Sequence, residues 1–243
     1  MWKLRLLALA VLGGVVSCQS TRPPTVATFS IAAVDGETGE IGVAVASRVP
    51  AVGAIVPFVE AEVGAVATQA KANVVYGPRG LELLRLGLTA QEVLEFLAKE
   101  DSEADRRQVG IVSADGASAS RTGTGCFAWA GGRTGPGYAI QGNILEGPGV
   151  LEAMEQAYLE SVGELLPDRL LLVLQAGDSA GGDRRGKQSA ALLVNRKGWG
   201  YAGLDDRFRD LRVDDHKDPV AELGRILKVH RGVFRRPGRV EGR

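Results

Sequence analysis

Thr28 heads a segment, TFSIAAVDGETGEIGVAVASR, whose spacing is that of a β-hairpin. Phe29, Ile31 and Ala33 alternate with Ser30, Ala32 and Val34, the sequences Asp35-Gly36 and Thr38-Gly39 carry turn chemistry, and Ile41, Val43 and Val45 resume the alternation. Small residues on one side and β-branched ones on the other suit strands covered on both faces. A threonine in this position suggests one chemistry. As the first residue of a mature chain, its α-amine could take the proton of its own hydroxyl, and the oxygen would attack a carbonyl. An internal Thr28 has only an amide nitrogen, without a basic lone pair.

Other patterns that could carry chemistry fail on context. Gly181 to Lys187 (GGDRRGK) fits the first seven positions of a P-loop, but Gln188 stands where a Mg²⁺-binding Ser or Thr belongs. A strand follows it, whereas a P-loop opens a helix. Gly123-Thr124-Gly125-Cys126-Phe127-Ala128 fits a loose dinucleotide pattern and likewise leads into glycines and a proline. Asp205, Asp206, Asp210, Asp214, Asp215, His216 and Asp218 are spread over a strand, a turn and a helix cap, so they read as solvated carboxylates and not as metal ligands. Cys126 has no neighbouring His or Lys to activate it, and His216 and His230 have no Ser or Cys in an elbow to serve.

The elements that must position Thr28 can be read in order. Val49–Val59, with two prolines, is an irregular crossing or an edge strand, and residues 63–70 form a small-residue strand. A helix opens at Leu81–Leu84 and breaks at Gly87, and Thr89 and Glu92 make a capping box for a second. Gln108–Val112 and Ala117–Thr122 flank a turn at Asp115-Gly116, a second hairpin. Gly123–Gly137 reads as irregular, and Tyr138–Asn143 as a short strand ending in polar groups. Helical faces follow through Val150, Met154, Ala157 and Ser161, then from Pro167 to Gly177. Gln188–Val194 is a strand with Trp199–Leu204 as its return, and Asp210–Val213 adds another. Asp218-Pro219 opens the last helix, with Val220, Leu223 and Leu227 facing in.

Composition bounds the rest. Lys+Arg and Asp+Glu stand at 29 each, and this balance argues against a nucleic-acid partner. Two cysteines make no disulfide framework. Residues 1–18 have the form of a signal peptide, with Lys3 and Arg5 before an apolar run too short to span a bilayer. It ends in Val15-Val16-Ser17-Cys18, a lipobox-like sequence that implies lipid on Cys18, with an ordinary secretory signal as the alternative. The expectation is an exported lipoprotein of the cell envelope, held to the membrane by that anchor. Residues 19–27 read as a tether, 28–230 as one domain, and 231–243 as a disordered basic tail.

The stretches ATFSIAAVD, GVAVASR, AVGAIVP, VGAVATQA, YGPRGLELL, RQVGIVSADG, YAIQGNILEG, AGGDRRGKQSAALLV and DLRVDDHKDPVAEL, in this order, resemble a bacterial family catalogued as domain of unknown function 1028. That family looks like part of the N-terminal-nucleophile (Ntn) hydrolase superfamily. The resemblance implies an α+β fold, a four-layer αββα sandwich of two antiparallel sheets between helical layers. Matched to proteasome-like members, it implies Thr28 as nucleophile, with Ser47, Arg48, Asn143, Asp178 and Ser179 in the catalytic set. Gln69, Asn73, Gln141 and Asp183 would contact substrate, and Asn143 with backbone N–H groups would hold the oxyanion. The substrate would be a small peptide or amide, and the chemistry needs no metal or cofactor. The chain departs from the pattern in lacking the proteasome's catalytic lysine, since Lys71 is out of register, and in having Thr28 internal to the encoded chain. Two other readings stay open: a non-catalytic envelope lipoprotein that keeps the fold for binding or scaffolding, and an enzyme using Ser30 or Ser47 instead.

Overall fold

In the computed structural model, which describes residues 28–237, the alternation that begins at Thr28 becomes strand β1 (Thr28–Asp35), paired antiparallel with β2 (Glu40–Ser47). Its turn is held by the Asp35 carboxylate, which accepts the N–H groups of Glu37 and Thr38. The remaining strands are β3 (Pro57–Glu60), β4 (Gly64–Ala70), β5 (Arg107–Ser113), β6 (Ser118–Thr122), β7 (Gly131–Gly135), β8 (Tyr138–Asn143), β9 (Ser189–Asn195) and β10 (Arg207–Val213). They form a six-stranded sheet in the order β10-β9-β2-β1-β8-β7 and a four-stranded sheet in the order β3-β4-β5-β6. Every pairing is antiparallel, and β1 lies mid-sheet between β2 and β8.

Five α-helices complete the described residues: α1 (Tyr76–Arg85), α2 (Ala90–Lys99), α3 (Gly149–Glu160), α4 (Leu166–Ser179) and α5 (Pro219–Val233). The capping box at α2 is formed in both directions between Thr89 and Glu92. Strand periodicity sorts the core into three parts. Phe29, Ile31 and Ala33 face Met154, Leu170 and Leu174 of α3 and α4. Ala32 and Val34 face Ala65, Ala67 and Val112 of the other sheet. Val66, Val109 and Ile111 face Leu81, Val93 and Leu97 of α1 and α2. The two sheets therefore pack on each other, each with helices on its outer side.

Several elements differ from expectation. The return strand beside β9 is Arg207–Val213, so it takes in the separately expected Asp210–Val213. Trp199–Leu204 is instead a loop with one short 3-10 turn. Gly131–Gly135 is a strand, because its backbone pairs with β8 whatever its side chains. Asp178 and Ser179 are the last turn of α4 and not a loop after Gly177. Asp218 sits at the N-cap of α5 without a side-chain cap, its N–H donating to His216 Nδ1 instead. The last helix also outruns His230. Arg231 ion-pairs with Asp168, and Arg236 reaches back to Glu40, so the folded part of the chain extends past the expected boundary. The expected leader, tether and lipid site, and residues 238–243, lie outside the described residues.

The Glu40 carboxylate has no exposed surface and accepts from Thr38 Oγ1 and Arg236 Nη2 at 3.1 and 2.7 Å. Burial pushes its carboxyl above the ordinary 4.5, against the pull of Arg236. In the window above 4.5 the native state holds a proton that the unfolded chain has released, so this group's contribution to stability falls as pH rises through it. Arg236→Ala should therefore cost about 3–5 kcal/mol at neutral pH by stranding a buried charge. Thermal melts at about pH 5 and about pH 8 should show the deficit shrinking at the lower pH.

Candidate functional site

The inward face of the six-stranded sheet changes character along its length. Toward the β1–β2 turn it presents Ala32, Val34, Val43 and Val45. Toward the start of β1 the same alternation places Thr28, Ser30 and Ser47 between the sheets, with Gln141 and Asn143 beside them. Thr28 lies opposite Ser47 on one side and Asn143 on the other. Directly opposed residues bring their Cβ atoms to about 4.5–5.5 Å. The four-stranded sheet answers with Gln69 of β4 and Gln108 of β5, which are themselves register partners. All seven side chains are buried, Thr28 completely.

One residue sets the hydrogen-bond polarity of the cluster. Gln108 Nε2 donates to the backbone carbonyls of Gly142 and Gly131, at 2.8 and 3.1 Å, and lies 2.8 Å from Thr122 Oγ1. Carbonyls only accept, so this end of the Gln108 amide must be the nitrogen. Its Oε1 then receives Gln69 Nε2 at 2.8 Å and Asn143 Nδ2 at 3.0 Å. Gln69 Nε2 also approaches the Thr28 carbonyl at 3.3 Å, and Gln69 Oε1 accepts the Ser30 hydroxyl at 2.7 Å. Ser30 Oγ in turn accepts Gln141 Nε2 at 2.6 Å. The Thr28 hydroxyl donates to Ser47 Oγ at 3.1 Å. Among the described residues, the buried oxygens Asn143 Oδ1 and Gln141 Oε1 have no partner, so Asn143 has acceptor capacity to spare. Gln108 takes one of the two N–H groups of Asn143 Nδ2, which leaves the other for the expected role as an oxyanion donor.

A second group adjoins Ser47 on the helical side. A crevice of about 60 Å³ is lined by Phe29, Ser47, Asp178, Asp183, Lys187 and Val220, among others. The nearly buried Asp183 carboxylate accepts the Arg48 N–H at 3.0 Å and the Arg185 N–H at 2.9 Å, with the Arg185 guanidinium at 2.9 Å. Asp178 accepts from Lys187 Nζ at 2.5 Å, while the exposed Arg48 side chain reaches Gln188 Oε1. The glycine-rich GGDRRGK sequence thus serves as a tight connection from α4 to β9, with Gly181, Gly182 and Gly186 at positive φ.

Thr28, Ser47, Gln69, Gln141 and Asn143 are therefore brought together, with Arg48, Asp178 and Asp183 grouped beside Ser47. Two expected residues stand apart. Asn73 donates to Asp101 and its carbonyl accepts from Thr68 Oγ1, on the helix-facing side of the four-stranded sheet. Ser179 is exposed at the end of α4. Lys71 is engaged by Glu103. Cys126 is half-buried and its thiol donates to the Arg107 carbonyl; burial pushes its pKa up, away from nucleophilic use. Sequence reasoning named Ser30 only as an alternative nucleophile and missed Gln108. The signal was present in Gln108-Val109-Gly110, where the strand period turns Gln108 and Gly110 to the same side as Val112.

The profile of a family described as a family of unknown function, DUF1028, matches residues 28–223. The chain belongs to this family. It is also similar to the crystal structure of protein SPO2555 from Silicibacter pomeroyi, itself described with DUF1028, at 29% identity and a TM-score of 0.76. That likeness covers 84% of this chain and 89% of the other. A comparison with curated proteins finds none that matches. In this DUF1028 chain the match opens at Thr28, the residue from which the buried polar cluster is built.

Gln108→Met should therefore be severely destabilising, since it leaves two carbonyls and two amide nitrogens short of partners at about 1–3 kcal/mol for each buried group left unpaired. Urea unfolding should show a larger loss for Gln108→Met than for Gln69→Met, which removes fewer contacts to the backbone.

Proposed function

We propose that this chain is an exported amidohydrolase of the Ntn type, cleaving a small amide or peptide with Thr28 as its N-terminal nucleophile. The observation that carries the reading is the position of Thr28, at the head of a mid-sheet strand, with polar side chains on both neighbouring strands and its hydroxyl within reach of Ser47. The helices outside each of two facing sheets are consistent with the αββα sandwich of that superfamily.

In this mechanism the bond between Ala27 and Thr28 is broken first. The Thr28 hydroxyl attacks the preceding carbonyl, the peptide nitrogen leaves as the α-amine, and water hydrolyses the resulting ester. The freed amine, with an ordinary pKa of about 7.7–8.0, then serves as general base for the same hydroxyl in each turnover. Asn143 Oδ1, buried beside Thr28 and without a partner among the described residues, receives an N–H of that amine and orients it. Backbone N–H groups hold the oxyanion. Ser47 positions the Thr28 hydroxyl, and Arg48, Asp178 and Asp183 border the approach to it. On this reading Cys18 carries the lipid that holds the precursor at the membrane, and cleavage before Thr28 frees the domain.

A second reading is favoured by the burial of Thr28, which has no exposed surface. There the cluster is a structural device of a non-catalytic envelope lipoprotein, and Thr28 stays internal.

Intact-mass measurement and N-terminal sequencing of protein from its native compartment decide between them. The hydrolase reading expects a chain beginning at Thr28, no self-cleavage in Thr28→Ala, and amidase activity abolished in that variant. A chain beginning only at Cys18, stable on long incubation, overturns it in favour of the binding module. Export with lipidation expects Cys18→Ala to move the precursor from membrane to soluble fractions.

A further inference from the structure

At the opposite end of β1 lies a much larger cavity. β1 has 8 residues, so at about 3.4 Å per residue the cavity sits roughly 24 Å along the strand from Thr28. Its volume is about 880 Å³, within the range of about 300–1,000 Å³ usual for small-molecule sites. The walls come from the β1–β2 turn, the α3–α4 connection, the β9–β10 connection and the chain after α5.

Three arginines line it, and aromatic rings hold each of them. The Arg196 guanidinium stacks 3.7 Å from the Trp199 ring centroid, and that of Arg169 lies 4.0 Å from the Tyr158 centroid. Arg236 lies 5.1 Å from Trp199 on its way to Glu40. Arg236 is thus neutralised, whereas Arg169 and Arg196 ion-pair with no carboxylate among the described residues. Arg169 spends part of its fork on the Tyr158 carbonyl and Ser161. The acidic groups of the lining do not compensate. Asp35 is engaged by the backbone of its own turn, and Glu37 and Glu164 are exposed at the rim.

Stacking fixes a guanidinium plane while leaving in-plane N–H donors open, the arrangement that receives a carboxylate or phosphoryl group in two-pronged fashion. We propose that this cavity is a binding site for a small organic anion, whose carboxylate or phosphoryl oxygens are held by Arg169 and Arg196. The site is independent of Thr28 and of any reaction there.

The test uses the folded full-length protein at constant ionic strength, titrated by calorimetry with succinate and with inorganic phosphate, while the indole N–H signal of Trp199 is followed by NMR. Saturable binding of at least one probe is expected, with a shift of the Trp199 signal. Succinate alone assigns the carboxylate class, phosphate alone the phosphoryl class. Arg169→Gln and Arg196→Gln should each weaken binding at least tenfold. Thr28→Ala should bind as the unaltered chain does, so loss of catalysis and loss of this site are separable. Val162→Trp places a ring on the exposed rim without removing a buried group and should also weaken binding. Absence of saturable binding of either probe with a Kd below about 1 mM, or binding unchanged in the arginine variants, overturns the proposal.

Discussion

The two backbone carbonyls of Gly131 and Gly142 that grip the Gln108 amide fix the orientation of much that lies between the sheets. A carbonyl cannot donate, so each step outward from Gln108 has one permitted direction, through Gln69 to Ser30 and Gln141 and separately to Asn143. In a low-dielectric interior such a chain is strong when complete and costly when broken. The steric counterpart is Gly110, the next inward position on β5. A Cβ there would sit 1.9 Å from Gln141 Oε1, so only glycine leaves space for the opposing amide.

This arrangement divides one sheet interface into zones. Near the β1–β2 turn, Ala32, Val43 and Val112 close it as a dry core, whose favourable term is apolar area removed from water. Near the start of β1 the interface is polar, and its polar groups ride on strands and not on loops. Side chains mounted on paired strands keep their relative geometry better than those on connections. The groups around Asp183 are less rigidly mounted, because they belong to the glycine-rich passage from α4 to β9.

How far the sequence disclosed this structure depended on whether side chains or backbone partners decided the local form. The β1–β2 hairpin, β4, the β5–β6 hairpin, β8 and the capped α2 were legible because alternation and cap chemistry are written in side chains. The strand Gly131–Gly135 was not, since its glycines carry no pattern and its order comes from β8. The partner of β9 was placed too early because Trp199 and Tyr201 have strand propensity. In the structure Trp199 packs edge-on against Phe208, while Tyr201 is exposed in the loop. The C-terminal boundary was missed because Arg231 and Arg236 read as a solvated run, yet each has a carboxylate waiting about sixty or more residues away in the chain. Within the candidate site, Thr28 was legible as the head of a strand, and Ser47 and Asn143 entered through the family resemblance. Gln108 was not, because a glutamine in a strand declares no role until its carbonyl partners are in place.

The pairing of β2 with β9 has a consequence for biosynthesis. Ser189, which opens β9, donates to the Val49 carbonyl across 140 residues of chain. A β-hairpin such as β1–β2 forms in about 1–10 μs. At about 5–20 residues per second the ribosome needs roughly 7–30 s more to deliver its outer neighbour. Throughout that interval the nascent chain carries Glu40–Ser47, a run fully buried in the finished fold, with one flank of its backbone unmatched. Such a flank is a template for stray strands of other chains. The fold therefore leaves its central seam open until late in synthesis, and a newly made chain depends during that time on being kept apart from its copies.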